Sequence, residues 1–363
     1  MEIGPPVKKL KHSGSYCETS TDIFDRYIQL IDNKKNLKAV LSDEFDSPLK
    51  LVKVFVGHIK DVKNISKTIL ALNQKIPLKE LQHLKRVRRQ DVILCPTNFF
   101  NDTSSIQDFI ECYVPELKHV FEYFKQVEVP LNPPKIDRHF QETKRIWSCN
   151  FHPNKYLEKL TGDEFFPPYD LKNHRLFMKV VFEVAKFYSI KYNIDSIDST
   201  FKNINATIVV DPNLQTIVAL SFDNRQAHPV QHSAMLAIDN VAKTQDGGVW
   251  NSKENNNEYV GVPEDVLPYL KEKFPSLKYY QKEYKNVLED KIKSKEGPYL
   301  CTGYYIYMLR EPCVMCSMAL VHSRVQRVFF CIGNDECGAL KSKTKLQTIA
   351  SLNHHFEVFT DFL

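Results

Sequence analysis

Two cysteines three residues apart, directly after a proline, are the feature that most restricts the fold of this sequence. In EPCVMCSMALVHSRVQRVFF, residues 311–330, Pro312 can begin a helix, and Cys313 and Cys316 then face the same way in its first turn. The positive end of a helix favours thiolates over thiols. The spacing therefore predicts two zinc ligands on one rigid element. The alternatives are two core cysteines or a redox pair, although a thioredoxin-like pair usually stands nearer the start of a β-α-β domain.

A third ligand is predicted upstream, in HPVQHSAMLAIDNVAK, residues 228–243. His232 opens an apolar-periodic helix there. A histidine at one helix start and Pro-Cys-x-x-Cys at another form the zinc deaminase signature, H-x-E…P-C-x-x-C. His228 is a rival ligand, but it precedes Pro229 in a predicted loop, and a histidine taken singly is more often packed in a core. We expect Zn²⁺ to be bound by His232, Cys313 and Cys316, with water or a protein group in the fourth position.

The order of predicted elements agrees with that signature. A helix over residues 171–190 precedes the strands ATIVVDP and QTIVALSFD, and the His232 helix follows them. The strand YYIYML then leads into the Cys313 helix, and RVQRVFFCIG forms the next strand. This order predicts an α/β sandwich in which each ligand-bearing helix begins at the end of a strand.

One residue does not fit the signature. Deamination requires a carboxylic acid two residues after the histidine, which takes up a proton and delivers it to the leaving amine. This sequence has Ala234 at that position, in His232-Ser233-Ala234. The loss of a general acid/base costs about 10²- to 10⁴-fold in rate. The sequence therefore predicts an intact zinc site without its catalytic residue.

At these residues the chain resembles the cytidine-deaminase-like fold, and EPCVMC is similar to the tRNA adenosine deaminase branch more than to free-nucleoside enzymes. With Ala234 and MALVHSR, residues 318–324, it resembles the non-catalytic subunits of the eukaryotic heterodimeric tRNA adenosine deaminases, which make wobble inosine. The similarity covers residues from about 50 to 125 and from 140 to 363. Further matching segments are LQHLKRVRR (81–89), YLCTGYYIYMLREPCVMCSMALVHSRVQRVFF (299–330), GAL (338–340) and LNHHFEVF (352–359).

This resemblance implies a three-layer α/β/α sandwich with a smaller N-terminal α+β domain. It also implies a zinc-binding, catalytically inactive subunit that forms a heterodimer with a catalytic subunit through the helices flanking the two zinc sites, and that takes part in tRNA wobble editing. Family members carry a hydrophobic residue, often Val, at the position of Ala234. Active relatives carry a Glu at the position of Glu311 beside their catalytic one, so Glu311 is not expected to replace the missing acid. No catalytic residue is expected in this chain.

Basic side chains are concentrated in the N-terminal part. Residues 50–89 contain 11 Lys and Arg but only two acidic residues, whereas the whole chain has a net charge of +5. LKLVKVFVGHI (49–59), a helix within 60–77 and DVILCP (91–96) predict a β-α-β segment. Clustered cations on a small domain are typical of a phosphate-backbone partner, although KRVRR taken alone is more often a solvated helix end. We expect tRNA contacts from Lys53, His83, Lys85, Arg86, Arg88 and Arg89.

The predicted domain organisation has four parts. They are a partly disordered N-terminal tail (1–46), a basic α+β RNA-binding domain (47–128), a linker and docking helix (129–160), and a cytidine-deaminase-like domain (161–363). Trp147 and Phe151 of the docking helix are expected to pack on the last domain. Residues 244–298 are expected to form a partly disordered surface insertion with one amphipathic helix around residues 287–292.

Composition excludes several other classes of protein. The chain is 43% hydrophobic and 26% charged, as in globular proteins, and nine cysteines are too few for a disulfide scaffold. The longest uncharged runs have 13 residues, fewer than the ~18–20 that cross a bilayer, so no membrane partner is expected. The first residues lack the apolar core of a secretory signal, and KKLK at 8–11 is a weak nuclear signal. We expect the protein in the nucleus and cytoplasm.

Two other functions remain open at this stage. One is a stand-alone nucleotide or RNA deaminase with an unrecognised proton shuttle, against which Ala234 argues. The other is a zinc-stabilised RNA-binding protein without a deaminase partner.

Overall fold

A computed structural model of the chain describes residues 20–99, 105–194, 201–250, 258–281 and 299–363. Its helices are α1 (Ser20–Asn33), α2 (Ile65–Lys75), α3 (Ile106–Tyr113), α4 (Asp137–Ile146), α5 (Lys155–Thr161), α6 (Pro168–Lys191), α7 (Ser233–Thr244), α8 (Leu267–Lys273) and α9 (Val314–His322). Its strands are β1 (Lys38–Ala39), β2 (Leu51–Ile59), β3 (Val87–Arg88), β4 (Asp91–Pro96), β5 (Phe121–Pro130), β6 (Ala206–Asp211), β7 (Thr216–Phe222), β8 (Lys278–Tyr279), β9 (Tyr305–Arg310), β10 (Arg327–Ile332) and β11 (Glu357–Thr360).

A seven-stranded mixed sheet organises one of two compact units, which comprises described residues up to Val40 and from Phe166 onward. Its strand order is β1-β11-β10-β9-β6-β7-β8. β6 is antiparallel to both β7 and β9, so β7 and β9 run in the same direction. The segments that follow these two strands therefore emerge at the same edge of the sheet, and α7 and α9 are the next helices after them.

Helices cover both faces of this sheet. On one face α6 packs against β6 and β9, with the rings of Phe177 and Tyr307 5.3 Å apart, and α1 packs on α6. On the other face α7 and α9 share a core with β6 and β9, to which Ala237, Leu320 and Ile306 contribute fully buried side chains. Because both faces are covered, β6 and β7 are buried at every residue. The predicted three-layer α/β/α sandwich is confirmed.

The second unit, residues 41–165, is built on a four-stranded antiparallel sheet of order β3-β4-β2-β5. The predicted β-α-β segment is present as β2, α2 and β4. One face of the sheet carries a core with α2 and α3, to which Leu72 and Phe109 contribute. The opposite face carries a core that includes Leu81 and Trp147.

The prediction that Trp147 packs on the deaminase-like domain is therefore wrong. Trp147 is 3% exposed within the core of residues 41–165, and its indole Nε1 donates to the carbonyl of Lys85 at 2.7 Å. Phe151 stacks on Phe140 of α4, with ring centroids 4.9 Å apart. The segment predicted as a linker over 129–160 completes this unit, because β5 ends inside it and its apolar residues cover an open sheet face.

The predicted boundaries also need correction at the N-terminus. Residues 20–40, predicted as part of a tail, belong to the unit of the large sheet. Helix α1 packs on α6, where Phe24 is 1% exposed and lies 5.1 Å from the ring of Phe201. Strand β1 pairs with β11. An apolar helix face and a free sheet edge thus bring this segment onto the domain.

Part of the predicted surface insertion is integrated into the fold. Leu267 and Leu270 of α8 are buried, and β8 extends the large sheet beside β7. Burial of these apolar residues requires the segment to pack on the domain. The amphipathic helix predicted around residues 287–292 and the KKLK segment at 8–11 lie outside the described residues. No helix in the described ranges has both the length and the apolar character that a membrane span needs.

Arg86 occupies the interior of the smaller unit. Its side chain is 7% exposed, and its guanidinium donates to the carbonyls of Ile93, Ile76 and Leu94 at 3.1, 2.7 and 3.0 Å, and to Asn73 Oδ1 at 2.8 Å. Burial lowers the pKa of Arg86 to about 10, which still leaves it charged at neutral pH. Arg86 therefore joins the end of α2 to β4.

Replacement of Arg86 by Met tests this structural role. The change keeps the aliphatic bulk but removes the donors from buried carbonyls, so we expect the free energy of unfolding to fall by about 2–4 kcal/mol. Chemical denaturation of the full chain measures it. The exposed neighbour gives the control, since Arg89→Ala should shift stability by less than ~0.5 kcal/mol. Equal effects of the two substitutions would contradict the assignment.

Candidate metal centre and nucleic-acid interface

The N-termini of α7 and α9 bring three potential metal ligands together. His232 is the N-cap of α7 and Cys313 is the N-cap of α9, both with extended backbone and neither with a side-chain capping bond. Cys316 lies one turn further along α9 and is 2% exposed. The side chains at both helix starts are thus free to bind an ion, and both helix dipoles favour negative charge at this point.

The spacing of the three donor atoms suits a tetrahedral ion. All three lie within 4.8 Å of one another, and Cys313 Sγ is 3.7 Å from His232 Nδ1. Ligands around a tetrahedral zinc stand about 3.5–3.8 Å apart, given Zn–N and Zn–S bonds of about 2.0–2.3 Å. One imidazole and two thiols form a typical zinc donor set. The residues therefore fit this ion.

The two thiols of the centre differ in acidity. The Cys316 thiol hydrogen-bonds the Cys313 sulfur, which lowers the pKa of Cys313 to about 5. The same bond raises the pKa of Cys316 far above its usual value. At neutral pH the pair thus carries one thiolate, and a divalent cation would replace the remaining proton.

His228, the rival ligand, does not take part in this cluster. It is exposed on the loop before α7, and its Nδ1 accepts a hydrogen bond from the backbone N–H of Val230 at 3.3 Å. Within the described ranges, His232 is the histidine that lies with Cys313 and Cys316 in one group of potential metal ligands. The choice between the two histidines follows from the backbone, which turns His228 outward before α7 begins.

Ala234 lies in the first turn of α7 and is 1% exposed. Its methyl group belongs to the core between the sheet and α9. The preceding residue fixes the helix start, since Ser233 Oγ accepts from Thr207 Oγ1 at 2.9 Å and the Ser233 carbonyl accepts from Ser221 Oγ at 2.6 Å. The position of the catalytic acid is thus filled by an apolar, firmly held group.

The space beside the three ligands is small. The pocket that they line has a volume of about 40 Å³, enough for a few water molecules, since one water needs about 10–15 Å³ of such space. Pockets for small molecules measure about 300–1,000 Å³. The pocket in the described conformation is thus well below the size of a small-molecule site.

Glu311 is not available as a substitute acid. It is 1% exposed, and its Oε1 accepts backbone N–H bonds from Leu340, Lys341 and Ser342 at 3.0, 2.6 and 2.9 Å. Its Oε2 accepts from the N–H of Asn334 at 3.0 Å and from the hydroxyl of Ser342. The carboxylate therefore holds the loop after β10 in place. The absence of a catalytic role for Glu311 stays a prediction.

Polar residues that the sequence analysis overlooked surround the centre. The Asn205 side chain bonds both backbone groups of Arg310 at 3.1 Å, and Asn334 Oδ1 accepts from Arg310 Nη2 at 3.0 Å. Asp223 pairs with Arg225 at 2.7 Å, and burial raises the pKa of Asp223. Asn205 directly precedes β6, Asp223 directly follows β7, and Asn334 lies two residues after β10. This position near strand ends is the one signal that the sequence offered.

The predicted RNA contacts separate into three groups. Lys53, Lys85 and Arg89 are exposed, as the prediction requires. Arg88 and His83 form the second group, because both are bonded within the unit. Arg88 is exposed, but its guanidinium donates to the carbonyls of Ile146 and Arg145 at the end of α4. His83 is half-buried and bonds the Pro130 carbonyl at 3.2 Å, and burial lowers the pKa of His83. The prediction is wrong for Arg86, whose buried guanidinium is fully used within the core. KRVRR forms a turn and strand β3 rather than a helix end.

These features define a deaminase-like protein with a zinc-binding type of centre and a separate N-terminal domain. Residues 172–332 match the cytidine and deoxycytidylate deaminase zinc-binding region, and residues 52–147 match the N-terminal domain of the tRNA-specific adenosine deaminase TAD3. The chain belongs to the TAD3 family of tRNA-specific adenosine deaminase proteins. The resemblance inferred from the sequence is confirmed.

Relatives match over almost the whole chain. A zebrafish (Danio rerio) protein named probable inactive tRNA-specific adenosine deaminase-like protein 3 is 30% identical over 351 residues, which cover 90% of this chain and 92% of the relative. The Homo sapiens protein of the same name is 26% identical, with 89% and 88% covered. The Saccharomyces cerevisiae tRNA-specific adenosine deaminase subunit TAD3 is 25% identical, with 80% and 77% covered.

The loop held by Glu311 requires a residue without a side chain at position 338, and this requirement can be tested. A Cβ atom at Gly338 would lie 2.3 Å from Glu311 Oε2, far inside contact distance. We expect Gly338→Ala to lower the free energy of unfolding by about 1–3 kcal/mol through overpacking. At Gly333 on the same loop the nearest atom would lie 3.5 Å away, so Gly333→Ala is the matched control. Denaturation curves that shift equally for both variants would refute the steric argument.

Proposed function

We propose that this chain is a catalytically inactive, zinc-binding subunit of a tRNA adenosine deaminase. In this role it pairs with a catalytic deaminase chain and recruits tRNA through residues 41–165. The observation that carries the proposal is the combination at one centre of three converging metal ligands with a buried methyl group, Ala234, at the position of the acid. Such a centre can hold an ion but has no group at that position to move a proton.

A structural role for zinc follows from the position of its ligands. The ion, when bound, would join the starts of α7 and α9, which also meet through apolar packing and through the contact of Cys313 Sγ with His232 Nδ1 at 3.7 Å. Because the ligands come from two distant parts of the chain, binding free energy would add to folding free energy. The family resemblance to the deaminase zinc-binding region supports this assignment.

The outer surfaces near the two helix starts support pairing with another chain. Val314 and Met315 of α9 are 54% and 37% exposed, and Val230 and Ile349 are 38% and 44% exposed. Contiguous exposed apolar residues, such as the neighbours Val314 and Met315 at the start of α9, are typical of an interaction surface. We infer that the catalytic partner covers this surface, which agrees with the names of the relatives as deaminase subunits. The nuclear and cytoplasmic location stays a prediction.

Loss of one ligand tests the metal assignment. Cys313→Ser should weaken zinc binding more than about 100-fold, because even partners behind the ligands contribute 10- to 100-fold, and should lower the thermal stability of the chain. Metal analysis after dialysis and thermal unfolding provide the readouts. Cys112→Ser changes an exposed cysteine elsewhere and should leave both values unchanged. Full zinc occupancy in Cys313→Ser would exclude the assignment.

The exposed cations provide the test of tRNA recruitment. In the complex with its catalytic partner, the Lys53/Lys85/Arg89→Ala variant should bind tRNA more weakly. The slope of log affinity against log salt should fall by about 2–3 units, since each lost phosphate contact removes about 0.7–0.9. The matched control replaces three exposed lysines of the other unit, Lys35, Lys172 and Lys278. An unchanged slope in the first variant would assign these cations to ordinary solvation.

Deaminase assays on a wobble-adenosine tRNA distinguish the remaining functions. The chain alone should form no inosine, and the complex with the catalytic chain should form it. Inosine formation by the chain alone would establish a stand-alone enzyme. Tight tRNA binding without any association with a deaminase chain would establish an RNA-binding protein of another kind.

A further inference from the structure

The smaller unit contains a concave pocket that the sequence analysis did not anticipate. Its volume is about 390 Å³, within the range of sites that bind small molecules. It lies where the end of α2 and the segment after it meet the turn after β4 and one side of α3. Its lining residues are Lys75, Ile76, Pro77, Leu78, Lys79, Glu80, Leu81, Pro96, Asn98, Phe99, Phe109 and Tyr113.

Two aromatic rings of this pocket are unusually exposed. Phe99 is 62% exposed and Tyr113 is 54% exposed, whereas Phe109 beside them is 7% exposed. The rings of Phe109 and Tyr113 are 4.6 Å apart, so the buried ring supports the exposed one. The floor is apolar, with Ile76, Leu78 and Leu81 all buried. Flat apolar rings over an apolar floor suit a planar, hydrophobic ligand.

The charges around the pocket are mainly positive. Lys75 and Lys79 are exposed lining residues, and Glu80 is the acidic residue among them. Lys53 lies near the same turn, because Thr97 Oγ1, two residues before Phe99, donates to the Lys53 carbonyl at 3.2 Å. Such cations complement phosphate groups next to a bound planar ring.

The walls of the pocket are held in place from behind. Arg86 donates to the Ile76 carbonyl at 2.7 Å and to Asn73 at the end of α2 at 2.8 Å. The same guanidinium bonds the carbonyl of Leu94 in β4, two residues before Pro96. A pocket fixed by these bonds needs little rearrangement to bind, which lowers the entropic cost of binding.

We infer that this pocket binds an unpaired nucleobase of RNA, stacked on Phe99 and Tyr113, with a neighbouring phosphate at Lys75 and Lys79. The inference rests on the proposed role of this unit in tRNA recruitment and names a site for it. A concave pocket of this size admits one splayed-out base but not a duplex. Single-stranded RNA is recognised through such stacking on aromatic side chains together with cations along the backbone.

The test uses the complex of the full chain with its catalytic partner. The probe is a short unstructured oligouridylate that carries one 2-aminopurine, whose fluorescence falls when it stacks. We expect binding with quenching in the natural protein and a loss of affinity of about 5- to 150-fold for each stacking ring removed in Phe99→Ala and Tyr113→Ala. Because no charge changes, the salt slope should stay the same. Tyr113→Phe should retain the quenching.

Tyr156→Ala is the matched control, since Tyr156 is an aromatic residue of the same unit, 45% exposed and outside the pocket. Thermal unfolding of each variant verifies that the fold is kept. Unchanged oligonucleotide affinity and quenching in the Phe99/Tyr113→Ala double variant would overturn the base site while leaving tRNA recruitment by the exposed cations intact. Weakened association with the catalytic partner instead of RNA would assign the pocket to a protein segment. If the natural complex bound neither the oligonucleotide nor tRNA, both the base site and the proposed tRNA recruitment would be overturned.

Discussion

The candidate metal centre depends most on the hydrogen bonds that the buried carboxylate of Glu311 accepts. This carboxylate accepts four backbone N–H bonds and one hydroxyl bond from the loop that follows β10. A buried carboxylate without such donors would cost several kcal/mol, so the loop closes around it. This closure requires a glycine at position 338, because a Cβ atom there would clash with the Glu311 carboxylate. Glu311 directly precedes Pro312 and Cys313. The same contacts therefore set the start of α9 and the position of the first thiol.

Around that start, the chain has three ligands that suit a metal ion and lacks, at the position of the acid, a group that could transfer protons. The two functions separate because they need different chemistry: three soft or borderline donors at helix ends for an ion, and an ionisable group within reach of a substrate for catalysis. Ala234 removes the second without disturbing the first, since its methyl group packs in the core. The pocket beside the three ligands, of about 40 Å³, is far smaller than the sites of about 300–1,000 Å³ that bind small molecules.

The smaller unit shows how one run of basic residues divides into different roles. In KRVRR, Arg86 points inward and satisfies carbonyls of α2 and β4, Arg88 binds the carbonyls at the end of α4, and Lys85 and Arg89 face solvent. The inward-facing Arg86 joins the end of α2 to β4 through these hydrogen bonds. The cations that remain at the surface, together with Phe99 and Tyr113, are the groups that we propose to contact RNA. The proposed tRNA recruitment and the folding of this unit thus depend on the same short segment.

The sequence alone determined the ligand triad, the absent acid, the sandwich fold and the strands and helix of the N-terminal segment, because each depends on local spacing or periodicity. Tertiary structure decided what depends on contacts between distant segments. Those contacts turned Arg86 inward, placed Trp147 in the core of its own unit, brought residues 20–40 to the large sheet and extended that sheet with β8. They also brought His232 next to the two cysteines that the sequence had paired with it, and formed the pocket beside Phe99. Charge and hydrophobicity along a chain do not reveal which side chain a neighbouring segment will cover; burial and hydrogen bonding across the fold decide it.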